Sequence, residues 1–200
     1  MKKLTIKTLA LIAVTTSDRG QTLSKLNIKN MRLDGDSVTF VITDRLKTTG
    51  KLLKPKVVNC AQCLDPALNV ASHVREYIAR TAELRRPEDS QLFISWATHR
   101  PVSSTSLARW LKLALISAGI DANTFGAHSY RGASLSDAYA KGVSIPQIMK
   151  AGDWTTSKTF FKHYNTPSTD TPVGQLILSL ASESSAGTHV NLLIDISFPE

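Results

Sequence analysis

The sequence is poor in cysteine: Cys60 and Cys63 are the only two in 200 residues. They form a lone C-x-x-C. Two thiols cannot complete a four-ligand zinc site, and no paired histidine motif lies nearby to supply the missing ligands. A redox pair would be expected beside a strand–helix–strand pattern, which is missing here. Long apolar runs are also lacking, and no stretch reaches the roughly 20 residues that span a bilayer. The basic start Met1-Lys2-Lys3 leads into an apolar run that Lys7 interrupts, with no clear small-residue cleavage site, so no secretory signal is read there. There is no internal repeat. Acidic residues are outnumbered, 16 against 24 Lys and Arg. These absences argue against a zinc module, a thiol oxidoreductase and a membrane protein, and lead to the expectation of an intracellular protein.

What is present suits one domain, or one domain with a tail. At 42% hydrophobic residues the chain can bury a real core. Its net charge of +8 and isoelectric point near 9.6 favour a polyanionic partner, with nucleic acid the leading candidate.

Taken in order, residues 4–17 are apolar apart from Lys7 and predict a buried helix. Asp18-Arg19-Gly20-Gln21 ends it, and a short helical piece over 22–26 follows. Residues 37–44 alternate apolar and polar and predict a strand, with 51–58 as its partner. The turn between them, Arg45 to Gly50, contains Lys47. Asp65-Pro66 is expected to open a long helix reaching about Leu84, because Pro suits a first helical turn. Residues 92–96 form a short apolar run, a strand or a buried segment. Residues 103–118 predict a helix with Leu107, Trp110, Leu111, Ala114 and Leu115 on its apolar side, stopped by Gly119. Arg109 and Lys112 are left to face outward.

The stretch that organises the rest is 125–164. His128 and Arg131 lie three residues apart, on one face at the start of a helix read over 129–141 and stopped by Gly142. A short helix over 145–151 is broken by Gly152-Asp153-Trp154. A third helix begins near Thr155 and carries Tyr164. An imidazole, a guanidinium, an indole N–H and a phenol can therefore converge. That set suits a phosphodiester: cationic donors for its oxygens, a proton carrier and a nucleophilic hydroxyl.

His128-Ser129-Tyr130-Arg131, then Trp154, then Tyr164, resembles the catalytic box of the tyrosine recombinases, the phage-integrase family. The wording around it, HSYRGAS and AGDWTTSKTFFKHY, looks closest to recombinases of eukaryotic mobile elements of the crypton and DIRS type. The resemblance reaches upstream to about Lys7. It implies a mainly α catalytic domain with a small antiparallel sheet, over residues 1–168, and a tail over 169–200 with a helix and a strand-like piece that docks on a neighbouring protomer. It also implies DNA cleavage and rejoining without metal, nucleotide or other cofactor. Tyr164 would be the nucleophile, giving a 3′-phosphotyrosine. Arg19, the only Arg after the first helix and before the short second one, would join Arg131 in clamping the phosphate. His128 would take the phenol proton, Trp154 would donate its indole N–H, and Lys47 would protonate the 5′-oxygen. Lys51, Lys54 and Lys56 are rivals for that last role. Tyr130 and Tyr139 are decoys for the nucleophile, and His163 has no assigned role.

Relatives of this type carry an N-terminal helical domain that clamps DNA from the other side, and the expectation from the resemblance, which starts at the catalytic domain's first helices, is a chain without that clamp. The partner expected is double-stranded DNA, with a tetramer on two DNA sites and a monomer for the chain by itself. The compartment expected is the nucleus for a eukaryotic element's product and the cytoplasm otherwise. Two further readings stay open: a DNA-binding relic without catalysis, and a relaxing enzyme of the type IB topoisomerase kind.

Overall fold

Helix α1, Lys2–Thr16, touches α3, α4, α5 and β3 in a computed structural model that describes residues 1–46 and 55–164. Its buried positions, Thr5, Ile6, Thr8, Leu9, Ile12 and Ala13, recur every three to four residues and fall on one side of the helix, while Lys7, Ala10, Leu11 and Val14 on the other side are half-buried. It ends at Ser17, whose backbone is left-handed (φ 55) and whose N–H donates to the Ala13 carbonyl at 3.1 Å. Helix α2, Gly20–Leu23, follows after two residues.

A three-stranded antiparallel sheet comes next, β1 Met31–Asp34, β2 Ser37–Ile42 and β3 Lys56–Cys60, in that spatial order. The sequence reading predicts the second and third strands and misses the first. Met31–Asp34 is only four residues long, too short for alternation to stand out. It is recruited because Gly35 (φ 53) closes a tight turn that pairs Asp34 with Ser37. The third strand is described as Lys56–Cys60, two residues further than expected at its end, and the part of the expectation on 51–54 falls within residues 47–54, which lie outside the described residues. One face of the sheet supplies Val38, Phe40, Ile42, Val58 and Cys60 to the core.

The long helix expected from Asp65 is shorter in fact. Helix α3 is Val70–Thr81, continued by a 3-10 turn over Ala82–Leu84. Asp65 caps a separate turn, its Oδ1 accepting from the Ala67 N–H at 2.8 Å. The helix starts only where Asn69 Oδ1 accepts from the Ser72 N–H at 2.9 Å. The run at 92–96 is a buried segment held by an isolated bridge, Ile94 to Pro101.

Helix α4, Ser104–Ser117, is capped by Ser103 and buries Leu107, Trp110, Leu111, Ala114 and Leu115, the expected side. The last three helices are α5 Ser129–Ala140, α6 Ile145–Ala151 and α7 Ser157–His163. Leu135, Ile148 and Phe160 form their own small core, lined by Tyr139, Trp154 and Tyr164, apart from the main one. Full burial of such side chains contributes about 1.5–3 kcal/mol each. This outer layer therefore rests on a few contacts, and two of the lining rings belong to the candidate site. The expected helix and strand after Tyr164 lie outside the described residues.

Candidate active site

Helix α5 begins where His128, with helical backbone angles (φ −74, ψ −20), gives its carbonyl to the Gly132 N–H at 3.2 Å. One turn later Arg131 points inward and is 3% exposed. Its Nη1 donates to the Ser17 carbonyl at 2.7 Å, and its Nη2 donates to the Gly152 carbonyl. The guanidinium carbon lies 4.6 Å from the centre of the Trp154 ring, a cation over an aromatic face. A guanidinium has five N–H donors. The two carbonyls leave three for the adjacent Tyr164 phenol and for an incoming anion.

Two turns therefore meet on Arg131. One is Ser17-Asp18-Arg19 at the end of α1. The other is Gly152-Asp153-Trp154 between α6 and α7. Each contains a non-glycine residue in the left-handed region, Ser17 at φ 55 and Asp153 at φ 45. Such residues cost free energy and persist where the surroundings hold them. Here the holding groups are visible: the Ser17 and Ser134 hydroxyls hydrogen-bond, and Asp153 accepts from Lys56.

Tyr164 is the C-cap of α7 (φ −128, ψ −28), so its ring does not follow the helix phase expected from a helix that carries it. Its ring centre is 4.8 Å from that of Trp154. Its carbonyl accepts from the Ser136 hydroxyl of α5, and a Cβ on Gly132 would come within 3.1 Å of its ring. Absence of a side chain at Gly132 is what lets the ring lie against α5.

Arg19 precedes α2 with an extended backbone, its carbonyl accepting from the Leu23 N–H at 3.0 Å and its side chain making no capping bond. Its Nη1 is 3.9 Å from Asp153 Oδ2, a long ion pair. Asp18 is buried and lies 2.6 Å from the Lys56 ammonium, which also binds Asp153. Burial raises the Asp18 pKa from its ordinary value, and Lys56 opposes that rise. Burial, and then the like charge of Arg19, lower the Arg131 pKa, while Tyr164 and Asp153 act the other way. Three cations, Arg19, Arg131 and Lys56, face two carboxylates, Asp18 and Asp153, leaving one net positive charge (+3 − 2 = +1).

Of the six residues expected at the site, Arg19, Arg131, Trp154 and Tyr164 come together here. His128 stands exposed at the start of α5, one turn from Arg131. Lys47 lies outside the described residues, as do its rivals Lys51 and Lys54. The fourth lysine, Lys56, is engaged by two carboxylates. Tyr130 is buried with its hydroxyl donating to the Leu111 carbonyl at 3.0 Å, and burial raises its pKa. Tyr139 packs edge-on against Phe160 at 5.3 Å. Cys60 is a free, buried thiol whose pKa burial, followed by the Asp18 charge, pushes up to about 12. Sequence reasoning did not single out Asp18 or Asp153. Their only signal was position, each one residue from an expected site residue.

The family model for the phage integrase family matches residues 1–170. The chain belongs to the phage integrase family. Solved structures of the same fold include the XerH site-specific recombinase bound to difH substrate in a pre-cleavage complex, with a TM-score of 0.62 at 20% identity, covering 92% of this chain and 48% of that one. The XerH post-cleavage complex on palindromic difH gives 0.58 at 19% identity, covering 90% and 44%. The XerA recombinase gives 0.59 at 15% identity, covering 92% and 62%. At these identities the likeness is one of fold, and this chain spans about half the length of the XerH chains. A search of curated proteins found no match. The phage-integrase catalytic fold is mainly helical with a small antiparallel sheet, as the sequence leads one to expect, and it sets Arg131, Trp154 and Tyr164 against one another.

Proposed function

We propose that this domain cleaves and rejoins DNA strands in site-specific recombination, with Tyr164 as the nucleophile. The observation that carries the reading is the approach of Tyr164 and Trp154 to the buried, carbonyl-anchored guanidinium of Arg131, with Arg19 facing the same cluster, inside a phage-integrase fold.

The chemistry follows from the residue types. The Tyr164 phenolate oxygen attacks the scissile phosphorus, and the bond from phosphorus to the 5′-oxygen breaks. The products are a 3′-phosphotyrosine and a 5′-hydroxyl. The phosphorus–oxygen bond count is unchanged, so rejoining runs the same step backwards without an energy source. In between, the phosphorus carries five oxygens and added negative charge, which Arg19 and Arg131 bind. A free phenol has a pKa of about 10 and needs a proton acceptor. His128, exposed at the helix start, takes that role. Trp154 has one N–H and transfers no proton, so its role is to bind a phosphate oxygen and seat Tyr164. Lys47 is assigned to deliver a proton to the 5′-oxygen, since an ammonium on a flexible stem suits a leaving group.

The motif wording also supports an origin in a eukaryotic mobile element of the crypton or DIRS type, with the nucleus as its compartment and a tetramer on paired DNA sites as its working form. The test is a suicide substrate: nicked duplex carrying the element's terminal sequences, incubated with protein and resolved on a denaturing gel. A covalent adduct is expected from the unaltered chain and from Tyr130→Phe, and none from Tyr164→Phe. Adduct in Tyr164→Phe would move the nucleophile elsewhere. DNA binding with no adduct from any of the three would favour the binding-only reading.

A further inference from the structure

Arg131 and Lys56 hold the same two turns in different ways. Arg131 binds the main-chain carbonyls of Ser17 and Gly152. Lys56 binds the side-chain carboxylates of the very next residues, Asp18 and Asp153. Arg19 and Trp154 are the residues after those. Asp18 is sealed in, its side chain 4% exposed, whereas Asp153 is 29% exposed and stands 3.9 Å from Arg19. A carboxylate of the chain therefore already faces the guanidinium that the proposed function assigns to the scissile phosphate. Asp153 also acts on Arg131, favouring its charged form as an anion would.

We infer that Asp153, restrained by Lys56, is a residue that sets the strength of phosphate binding at this site: its carboxylate competes with DNA phosphate for Arg19, and Lys56 draws it away. The inference rests on the DNA reading above. Charge counting gives its direction. With Lys56 in place the five groups sum to +1. Removing the Asp153 charge makes +2, and removing the Lys56 charge makes zero (+2 − 2). Distance supports competition rather than a fixed structural pair. The Lys56 contacts are short, whereas Arg19–Asp153 at 3.9 Å is loose enough for an anion to replace it. The backbone adds a reason why the carboxylate sits where it does. Asp153 is left-handed at φ 45, a conformation that Asp and Asn tolerate better than other side chains. Asn at this position keeps the shape and loses only the charge.

The experiment is equilibrium binding of a short fluorescent duplex of arbitrary sequence across a salt series, using the full chain and Asp153→Asn, Lys56→Met and the double variant. Each DNA phosphate that the protein neutralises steepens the slope of log K against log salt by about 0.9. Asp153→Asn should bind several-fold tighter at low salt, with a slope steeper by about that amount. Lys56→Met should bind more weakly with a shallower slope. In the Asp153→Asn background the Lys56→Met effect should shrink, because Lys56 then has no competing carboxylate to restrain. A merely structural role for Asp153 predicts weaker binding and an unchanged slope. That result, or an undiminished Lys56→Met effect in the double variant, would overturn the inference. Asp153→Asn decides the matter even if Lys56→Met fails to fold. Absence of salt-dependent binding by the unaltered chain would overturn the DNA reading itself, and the inference with it.

Discussion

Arg131 lies over Trp154, with its guanidinium carbon 4.6 Å from the indole centre, and the ring of Tyr164 packs tilted against the same indole with its centre 4.8 Å away. The proposed phosphate ligand and the proposed nucleophile are thus both seated on one ring. Anything that shifts Trp154 should disturb both at once.

The two arginines should part company in stability. Arg131 is buried and donates to two carbonyls, whereas Arg19 is partly exposed with one long ion pair. Hydrogen bonds from a charged donor contribute roughly 1.5–3 kcal/mol each, and the carbonyls would be left unpaired. Arg131→Ala should lower unfolding free energy by about 3–5 kcal/mol on that basis, and Arg19→Ala by well under about 1 kcal/mol. Both should lose adduct formation. Urea denaturation beside the suicide-substrate assay checks this, and equal stability losses would contradict the anchoring role given to Arg131.

Two glycines should report on the indole and the phenol separately. An alanine Cβ at Gly152 would come within 2.5 Å of the Trp154 ring, too close for the ring to stay in place. At Gly132 it would come within 3.1 Å of Tyr164, which requires a shift of a few tenths of an ångström. Neither glycine has a positive φ, so the backbone tolerates alanine at both. Gly152→Ala should change tryptophan fluorescence and cut the rate of adduct formation more than Gly132→Ala does. Matching rates in the two variants would mean that the indole seat is less important than the contacts indicate.

Acid sensitivity should trace to His73 on α3, far from the site in sequence. Its Nδ1 lies 2.8 Å from the Asn69 carbonyl. Burial lowers its pKa below the ordinary 6.5, Lys7 lowers it further, and the Asn69 carbonyl and Glu76 oppose this. The folded state thus resists a proton that the unfolded chain accepts. The stabilisation is complete above pH 6.5 and is lost as pH falls from there through the lowered folded value. Unfolding free energy measured across this range should fall toward acid in the unaltered chain, and this limb should flatten in His73→Gln. A limb of the same slope in the variant would assign the acid sensitivity to another group.

The elements legible in the sequence are those with local causes. Gly142 at φ 87 ends α5, Ser144 and Gln147 form a capping box before α6, and Gly119 at φ 72 follows α4. All three act within a turn or two of the chain. Where the reading erred, a local cue was outweighed by its neighbours. Asp65-Pro66 carries a helix-start signal, yet the Asp65 carboxylate closes a separate turn and Asn69 caps the helix instead. The first strand has almost no pattern of its own and exists because β2 is beside it.

The sequence by itself determined the family, the mainly helical class, and the order Arg19, His128, Arg131, Trp154, Tyr164, because motif spacing, periodicity and capping are written in neighbouring residues. Only the tertiary structure decided which groups Arg131 and Lys56 hold. Ser17 and Arg131 are 114 residues apart, and Lys56 and Asp153 are 97 apart. No local preference couples such positions. They meet because α1 packs against both β3 and α5, and α5 packs in turn against α6, which carries the turn after α6 to the turn after α1. Once those turns are packed together, the Ser17 and Gly152 carbonyls and the Asp18 carboxylate lose water and must find donors within the protein.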